Sequence, residues 1–223
     1  MIDITQQQKA LMKKHLELVI EANKNVNLTR IDSIDSGMLL HIEDSLVGLK
    51  ALDKAPTGEF ADLGTGGGYP GIPLSICTGR KALLVESKRK KTDILNGMIS
   101  ELHLEKQIAT YTGRIEDLSI EKKNEFSVVV ARALTSLPSL LELSSPLLKK
   151  GGWLISYKSA HSEDEFNQAC SIERKLGMKY LETQKSTLSD GETNRVIYIF
   201  QKVSEPSMHL PRKSGTAQKS PFK

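Results

Sequence analysis

Apolar positions near the start of the chain recur at helical spacing. Leu11, Met12, Leu16, Val19 and Ile20 fall on one face of residues 4–22, with Lys13, Lys14 and Glu17 outside it. Residues 23–27 read as the stop. A second helix is predicted to begin near Asp35 or Ser36 as N-cap and to run through Leu39, Leu40, Ser45 and Leu46 to Leu49. Residues 53–58, with Pro56 and Gly58, read as a loop. From residue 59 the period changes. Short apolar runs at 60–63, 82–85, 108–111, 126–130 and 153–157 read as strands, and 71–78, 88–102, 136–149 and 162–176 read as helices between them. This alternation predicts an α/β fold with a mostly parallel, doubly wound sheet. After a turn at Gly177 and Met178, the runs 179–188 and 194–202 follow each other without a helix, so one of them is expected to be an antiparallel edge strand. The expected division is an N-terminal helical extension over 1–58, an α/β domain over 59–203 and an irregular basic tail over 204–223.

Composition narrows the class. With 223 residues, 39% hydrophobic and 26% charged, the chain suits a globular domain with an elaboration. Its 31 Lys and Arg against 27 Asp and Glu leave a formal charge of +4, which permits a nucleic-acid partner without requiring one. Cys77 and Cys170 are the only cysteines and form no C-x-x-C pair, which argues against a disulfide scaffold or a cysteine-rich zinc site. His41 has no second histidine at ligand spacing, so no metal is expected. His41, Asp44 and Ser45 share a helix face by spacing and are candidates to brace the N-terminal helices. No apolar run approaches the ~18 residues of a membrane span, and residues 1–20 lack the apolar segment of a secretory signal. A cytoplasmic chain, without a membrane partner and acting as a monomer, is the expectation.

The strongest chemical signal is the stretch Asp62-Leu63-Gly64-Thr65-Gly66-Gly67-Gly68-Tyr69-Pro70-Gly71, which follows the first strand and opens a helix. Glycines there let the backbone approach a ligand. A dinucleotide fingerprint needs a small residue at the sixth position, where this chain has Tyr69. The acid two places before the first glycine instead resembles motif I of class I S-adenosylmethionine-dependent methyltransferases. Glu86, ending the second strand, can accept from both hydroxyls of a ribose, whichever nucleoside cofactor is bound. Gly113 to Asp117 follow the third strand, and backbone groups at Ile115 and Glu116 could read a base edge. A plain helix-start role for Glu116 and Asp117 fits equally well.

The end of the fourth strand reads Val130-Ala131-Arg132-Ala133-Leu134. It contains no N-P-P-Y-like motif for amino groups and no cysteine for covalent attack on a pyrimidine. Guanine N7 remains an attractive acceptor, because it carries no proton and needs no general base. Arg132 is a poor base and fits an anchoring role on a cofactor carboxylate or an RNA phosphate, with a structural ion pair as the alternative.

Taken together, these residues resemble the bacterial small-subunit ribosomal RNA 7-methylguanosine methyltransferases, also called the glucose-inhibited division protein B family. The likeness rests on Asn25-Val26-Asn27-Leu28-Thr29, His41-Ile42-Glu43-Asp44-Ser45-Leu46, the 62–74 loop, Glu86-Ser87 with Lys90-Lys91, Ala131-Arg132-Ala133 and Tyr157-Lys158. It implies a class I methyltransferase fold over 59–203 and S-adenosyl-L-methionine as cofactor. It further implies methyl transfer to N7 of one guanine in 16S ribosomal RNA, with the RNA or the small ribosomal subunit as partner. The resemblance implies cofactor contacts at Gly64, Tyr69, Ile115, Glu116 and Arg132; the glycine loop and the second strand's end add Asp62, Gly66, Gly68 and Glu86 as candidates. Arg132 and Lys158 are the candidate catalytic groups. Tyr69 stands where the family usually has Phe or Leu; its ring either meets a sulfonium or packs.

Candidate RNA contacts are Lys88, Arg89, Lys90, Lys91, Arg195, Arg212 and Lys213. Cations at a helix start oppose the macrodipole, which fits a phosphate nearby or merely a solvated face. Arg195 is either a substrate contact or a charge that blunts an edge strand. Lys158 either meets a ligand or snorkels. Two other classes stay open: a non-catalytic RNA-binding or assembly protein that keeps the fold, and a nicotinamide-dependent oxidoreductase, which Tyr69 disfavours.

Overall fold

In the computed structural model, which describes residues 3–222, seven strands form one sheet. They are β1 Phe60–Leu63, β2 Ala82–Glu86, β3 Ile108–Thr112, β4 Phe126–Arg132, β5 Leu148–Lys158, β6 Met178–Thr187 and β7 Asn194–Lys202. Their order is β3-β2-β1-β4-β5-β7-β6. The first five are mutually parallel, and β7 runs antiparallel to both neighbours. The reversed strand is therefore the penultimate one, and the edge strand β6 runs with the parallel set. The expected antiparallel edge pairing is present: β6 lies at the edge and pairs antiparallel with β7, which is inserted between it and β5.

Alternation along the strands sends side chains to two cores. Phe60, Leu84, Val128, Val130, Ile155, Ile197 and Ile199 face one side. Ala61, Leu63, Val85, Val129, Leu154, Tyr198 and Phe200 face the other. The first layer is covered by α1 Gln6–Asn23, α4 Leu49–Lys54, α5 Gly71–Thr78 and α6 Arg89–Glu101. Between α1 and α4 lie the short helices α2 Ile34–Gly37 and α3 Asp44–Leu46, separated by a π-helical stretch, Met38–Glu43. The second layer holds α7 Ile115–Glu121, α8 Leu137–Ser144, α9 Glu163–Ile172 and α10 Thr216–Lys219. The N-terminal helices share the first core: Met12, Leu16 and Val19 of α1 are buried beside Ile72 and Leu74 of α5. Each such side chain contributes roughly 1.5–3 kcal/mol when fully buried. Gln8 ties the same joint by polar means. Its Oε1 accepts from the N-cap amide of Thr5 in a capping box, while its Nε2 donates to the carbonyls of Ile76 and Cys77.

Several boundaries differ from the periodic reading. The second helix starts at N-cap Ser33, passes through the π-stretch and breaks at Val47 and Gly48. Asp53 and Lys54 end α4 instead of opening a loop. The helix predicted over 136–149 stops at Ser144, because Pro146 lacks an amide and β5 already begins at Leu148. A short helix, α7, begins at Ile115, so Glu116 and Asp117 do stand at a helix start. The tail is also more ordered than expected. Leu210 and Ala217 are buried in the second core, and Ser139 Oγ donates to the Ala217 carbonyl at 2.6 Å.

Candidate active site at the carboxyl ends of the strands

Strand order reverses between β1 and β4, the place where open α/β sheets bind ligands at their carboxyl ends. Two clefts meet there. The first, about 190 Å³, is lined by Gly64 after β1, Val85, Glu86 and Ser87 at the end of β2, Gly113 to Glu116 after β3, and Leu134 after β4. The second, about 510 Å³, is lined by Leu40, His41, Asp44, Arg132, Tyr157, Lys158 and Arg195. Ala133 separates them, with φ at +54°. A non-glycine residue in that region costs about 1–3 kcal/mol and is retained where the surroundings enforce it. Here the strain points Arg132 into one cleft and Leu134 into the other.

The loop after β1 is built to leave the first cleft open. Gly64 has φ at +72°, and a Cβ there would lie 2.6 Å from Leu134 Cδ1. Asp62, fully buried, accepts on one oxygen from Thr65 Oγ1 at 2.7 Å and from the Gly71 amide at 2.8 Å. It therefore braces the loop from beneath and does not line the cleft. Gly66, Gly68 and Tyr69, expected as contacts, likewise do not border this cleft. Tyr69 is buried, stacked on the His41 ring at 4.3 Å and tilted against His15 at 4.6 Å. Its aromatic face is taken by protein, and the Arg132 guanidinium lies 5.7 Å from its centroid. Gly64, Glu86, Ile115 and Glu116 do line the cleft. Glu86 Oε1 accepts from the Lys88 amide at 3.0 Å, so the start of α6 orients the carboxylate. Glu116 Oε1 accepts from the Gly215 amide at 2.6 Å.

The second cleft is organised by Asp44. Its two oxygens accept from Arg132 Nη1 at 2.9 Å and Arg195 Nε at 2.7 Å, and its side chain is 5% exposed. Arg132 also donates to the Leu40 carbonyl and to His41 Nδ1. A guanidinium can only donate, so His41 Nδ1 carries no proton and Nε2–H donates to Thr29 Oγ1 at 2.8 Å. The π-helical stretch thus turns the predicted His41, Asp44 and Ser45 face into a clamp on β4 and β7. Lys158 Nζ donates to the Thr135 carbonyl at 2.9 Å and to Glu165 at 2.7 Å. Arg132, Arg195 and Lys158 against Asp44 and Glu165 leave one net positive charge, since three cations face two carboxylates.

The remaining predicted contacts separate. Lys88, Arg89 and Lys90 are exposed and Lys91 half-buried, at the same edge of the sheet. Lys213 is exposed and does not line the first cleft. Arg212 is not available to RNA: it donates through Nε and Nη2 to the buried Glu142 carboxylate and lies 3.9 Å over the Phe222 ring. Periodicity gave no signal for Leu134, Leu143 or Gln218 in the first cleft. Among the described residues no three His, Cys, Asp or Glu side chains converge on a metal position, and no helix is long and apolar enough to cross a membrane.

Three buried groups set an acid sensitivity. Burial lowers His15 to about 4, partly opposed by its bond to the Gly67 carbonyl. Burial, then the Arg132 charge, lowers His41 to about 3. Burial raises Asp62 to about 6 against its bonds from Thr65 and Gly71. On unfolding between about pH 4 and 6, both histidines take up a proton and Asp62 releases one, for a net uptake of one. The histidine contributions are present above about pH 6.5 and are lost on acidification, while that of Asp62 runs the other way. From these groups, stability should fall by about 1.4 kcal/mol per unit as pH drops through that window. Urea midpoints across the window check it; a midpoint that holds steady on acidification contradicts the net sign.

Comparison with known proteins agrees with this geometry. A family model described as rRNA small subunit methyltransferase G matches residues 8–215. A protein of Lysinibacillus sphaericus named ribosomal RNA small subunit methyltransferase G is 33% identical, with 99% of this chain and 94% of that one covered. Its namesake from Lachnoclostridium phytofermentans is 34% identical over 99% and 92%. Among solved structures, an O-methyltransferase from Bacillus cereus in complex with SAH superposes with a TM-score of 0.59 at 19% identity, covering 84% of this chain and 90% of that one. That likeness shows the class I methyltransferase fold. With both cores, the glycine loop and the Arg132 clamp inside the matched span, the chain belongs to the rRNA small subunit methyltransferase G family.

Proposed function

We propose that this protein transfers a methyl group from S-adenosyl-L-methionine to N7 of a guanine in small-subunit ribosomal RNA. The observation that carries the reading is a cleft with a ribose-suited carboxylate after β2 beside a cationic one at the ends of β4 and β5 and the start of β7, with no side chain poised as a base in the second. The cofactor fits the residues present. Glu86 is aimed to accept from ribose hydroxyls, and Gly64 clears the sugar's path where a Cβ would force Leu134 inward. The first cleft, about 190 Å³, places Glu86 and residues 113–116 around the position a nucleoside would take. When bound, S-adenosyl-L-methionine supplies an electrophilic methyl group.

The chain's own residues then act by position. Both Asp44 oxygens are held by guanidiniums, His41 has both ring nitrogens engaged, and Lys158 is tied to Glu165. None is free to remove a proton, which suits an acceptor nitrogen that has none to lose. Alignment of donor and acceptor alone can supply on the order of 7–11 kcal/mol. Arg132 and Arg195 are the anchors for the acceptor's phosphate, drawn by the one excess positive charge. Lys88, Arg89, Lys90 and Lys91 extend that field along the edge of the sheet, over which RNA phosphates would lie.

The test is incubation with labelled S-adenosyl-L-methionine and small ribosomal subunits lacking the modification, followed by strand scission at 7-methylguanosine. Label at one guanine, with scission there, is expected. Binding of the cofactor without any transfer to subunits or their RNA would instead support the non-catalytic reading.

A further inference from the structure

The C-terminal segment, expected from sequence to be an RNA arm, forms a wall of the first cleft. Four contacts seat it. The Gly215 amide donates to Glu116 Oε1, Ser139 Oγ donates to the Ala217 carbonyl, Arg212 pairs with buried Glu142, and Gln168 Nε2 donates to the Phe222 carbonyl at 2.7 Å. This seating brings Gln218 to the mouth of the cleft, beside Ile115, Glu116 and Leu143. The Gln218 side-chain amide forms no hydrogen bond within the described residues, although it borders a polar cleft. Strand order puts Gly64 after β1 and Leu134 after β4 on the side of the second cleft, Glu86 after β2 in the middle, and residues 113–116 after β3 at the other end. A nucleoside lying with its 5′ side toward Arg132 and its ribose on Glu86 therefore extends its base toward Gln218.

We propose that Gln218 reads the adenine of the bound nucleoside, which makes the C-terminal segment part of the cofactor site. The inference rests on the S-adenosyl-L-methionine reading above. A carboxamide presents one acceptor and one donor side by side, the complement of an adenine edge that offers its 6-amino group next to a ring nitrogen. Glu116 cannot replace it in full, because one of its oxygens is held by Gly215 and a carboxylate has no donor.

The experiment is calorimetric titration of the full chain and of Gln218→Ala with two probes, S-adenosylhomocysteine and its analogue lacking the 6-amino group. Gln218 is exposed and makes no protein hydrogen bond, so the variant keeps the wild-type melting temperature. The wild type should prefer S-adenosylhomocysteine, and that preference should shrink at least about fivefold in Gln218→Ala. An unchanged preference ratio overturns the proposal, even if the variant binds both probes more weakly, since that pattern describes a wall that does not meet the base. Failure of the wild type to bind S-adenosylhomocysteine at all would sink the cofactor reading instead.

Discussion

Gly64→Val should weaken S-adenosylhomocysteine binding by about a hundredfold or more, measured by calorimetry. Two effects add. At φ +72° a β-branched residue is strained by about 1–3 kcal/mol. Its Cβ would also sit 2.6 Å from Leu134 Cδ1, and both residues line the same cleft, so the added bulk and the displaced leucine compete with the ligand. A flexible leucine tip moves easily, so the fold survives while the ligand's space does not. Gly66→Ala is the contrast: at φ +58° it carries backbone strain too, but its Cβ would meet only the Leu28 carbonyl, at 3.8 Å, and Gly66 does not line the cleft, so affinity should fall far less. Near-wild-type affinity in Gly64→Val would mean that the nucleoside does not pass Gly64.

Asp44→Ala should lower stability by about 3–5 kcal/mol, because it leaves two mostly buried guanidiniums without their shared carboxylate. For a chain of this size that corresponds to a fall in melting temperature on the order of 10 °C. The variant should also lose methyl transfer at temperatures where it is still folded, since Arg132 and Arg195 lose the anchor that sets their separation. Adding Arg195→Met to Asp44→Ala removes one unpaired charge and should recover part of the stability without recovering transfer. If the single variant melts like the wild type, the clamp between the π-helical stretch and the strand ends does not hold the fold together.

Much of the architecture was legible because it depends on period and on local chemistry. Strand runs such as 82–85 and 126–130 are apolar on both faces, as a covered parallel sheet requires. The Asp62 to Gly71 loop, Glu86 after β2 and Arg132 after β4 fall at strand ends, and a doubly wound sheet brings those ends together whatever the details of the helices. Errors came where a contact distant in sequence overrides local preference. The π-helical turn at Met38–Glu43 places His41 on Tyr69 and Asp44 between two arginines from β4 and β7. No spacing rule within residues 34–46 encodes that. Arg212 looked like a free cation in a basic tail, but its partner Glu142 lies 70 positions earlier in sequence.

The sequence by itself therefore determined the α/β order, the glycine loop, the acid for a ribose and the family resemblance. All of these are set by neighbours within a few residues, or by a strand-and-turn unit that recurs wherever the period does. Only the tertiary structure decided which motif residues face a ligand and which hold up those that do. Asp62 and Tyr69 lie beneath the loop, because one oxygen of the buried carboxylate accepts from both Thr65 and Gly71, and the buried ring is covered by His41. Gln218 borders the first cleft, because Leu210 and Ala217 are buried in the second core and hold the tail there. Both outcomes depend on burial, a property of the packed chain that no stretch of sequence carries alone.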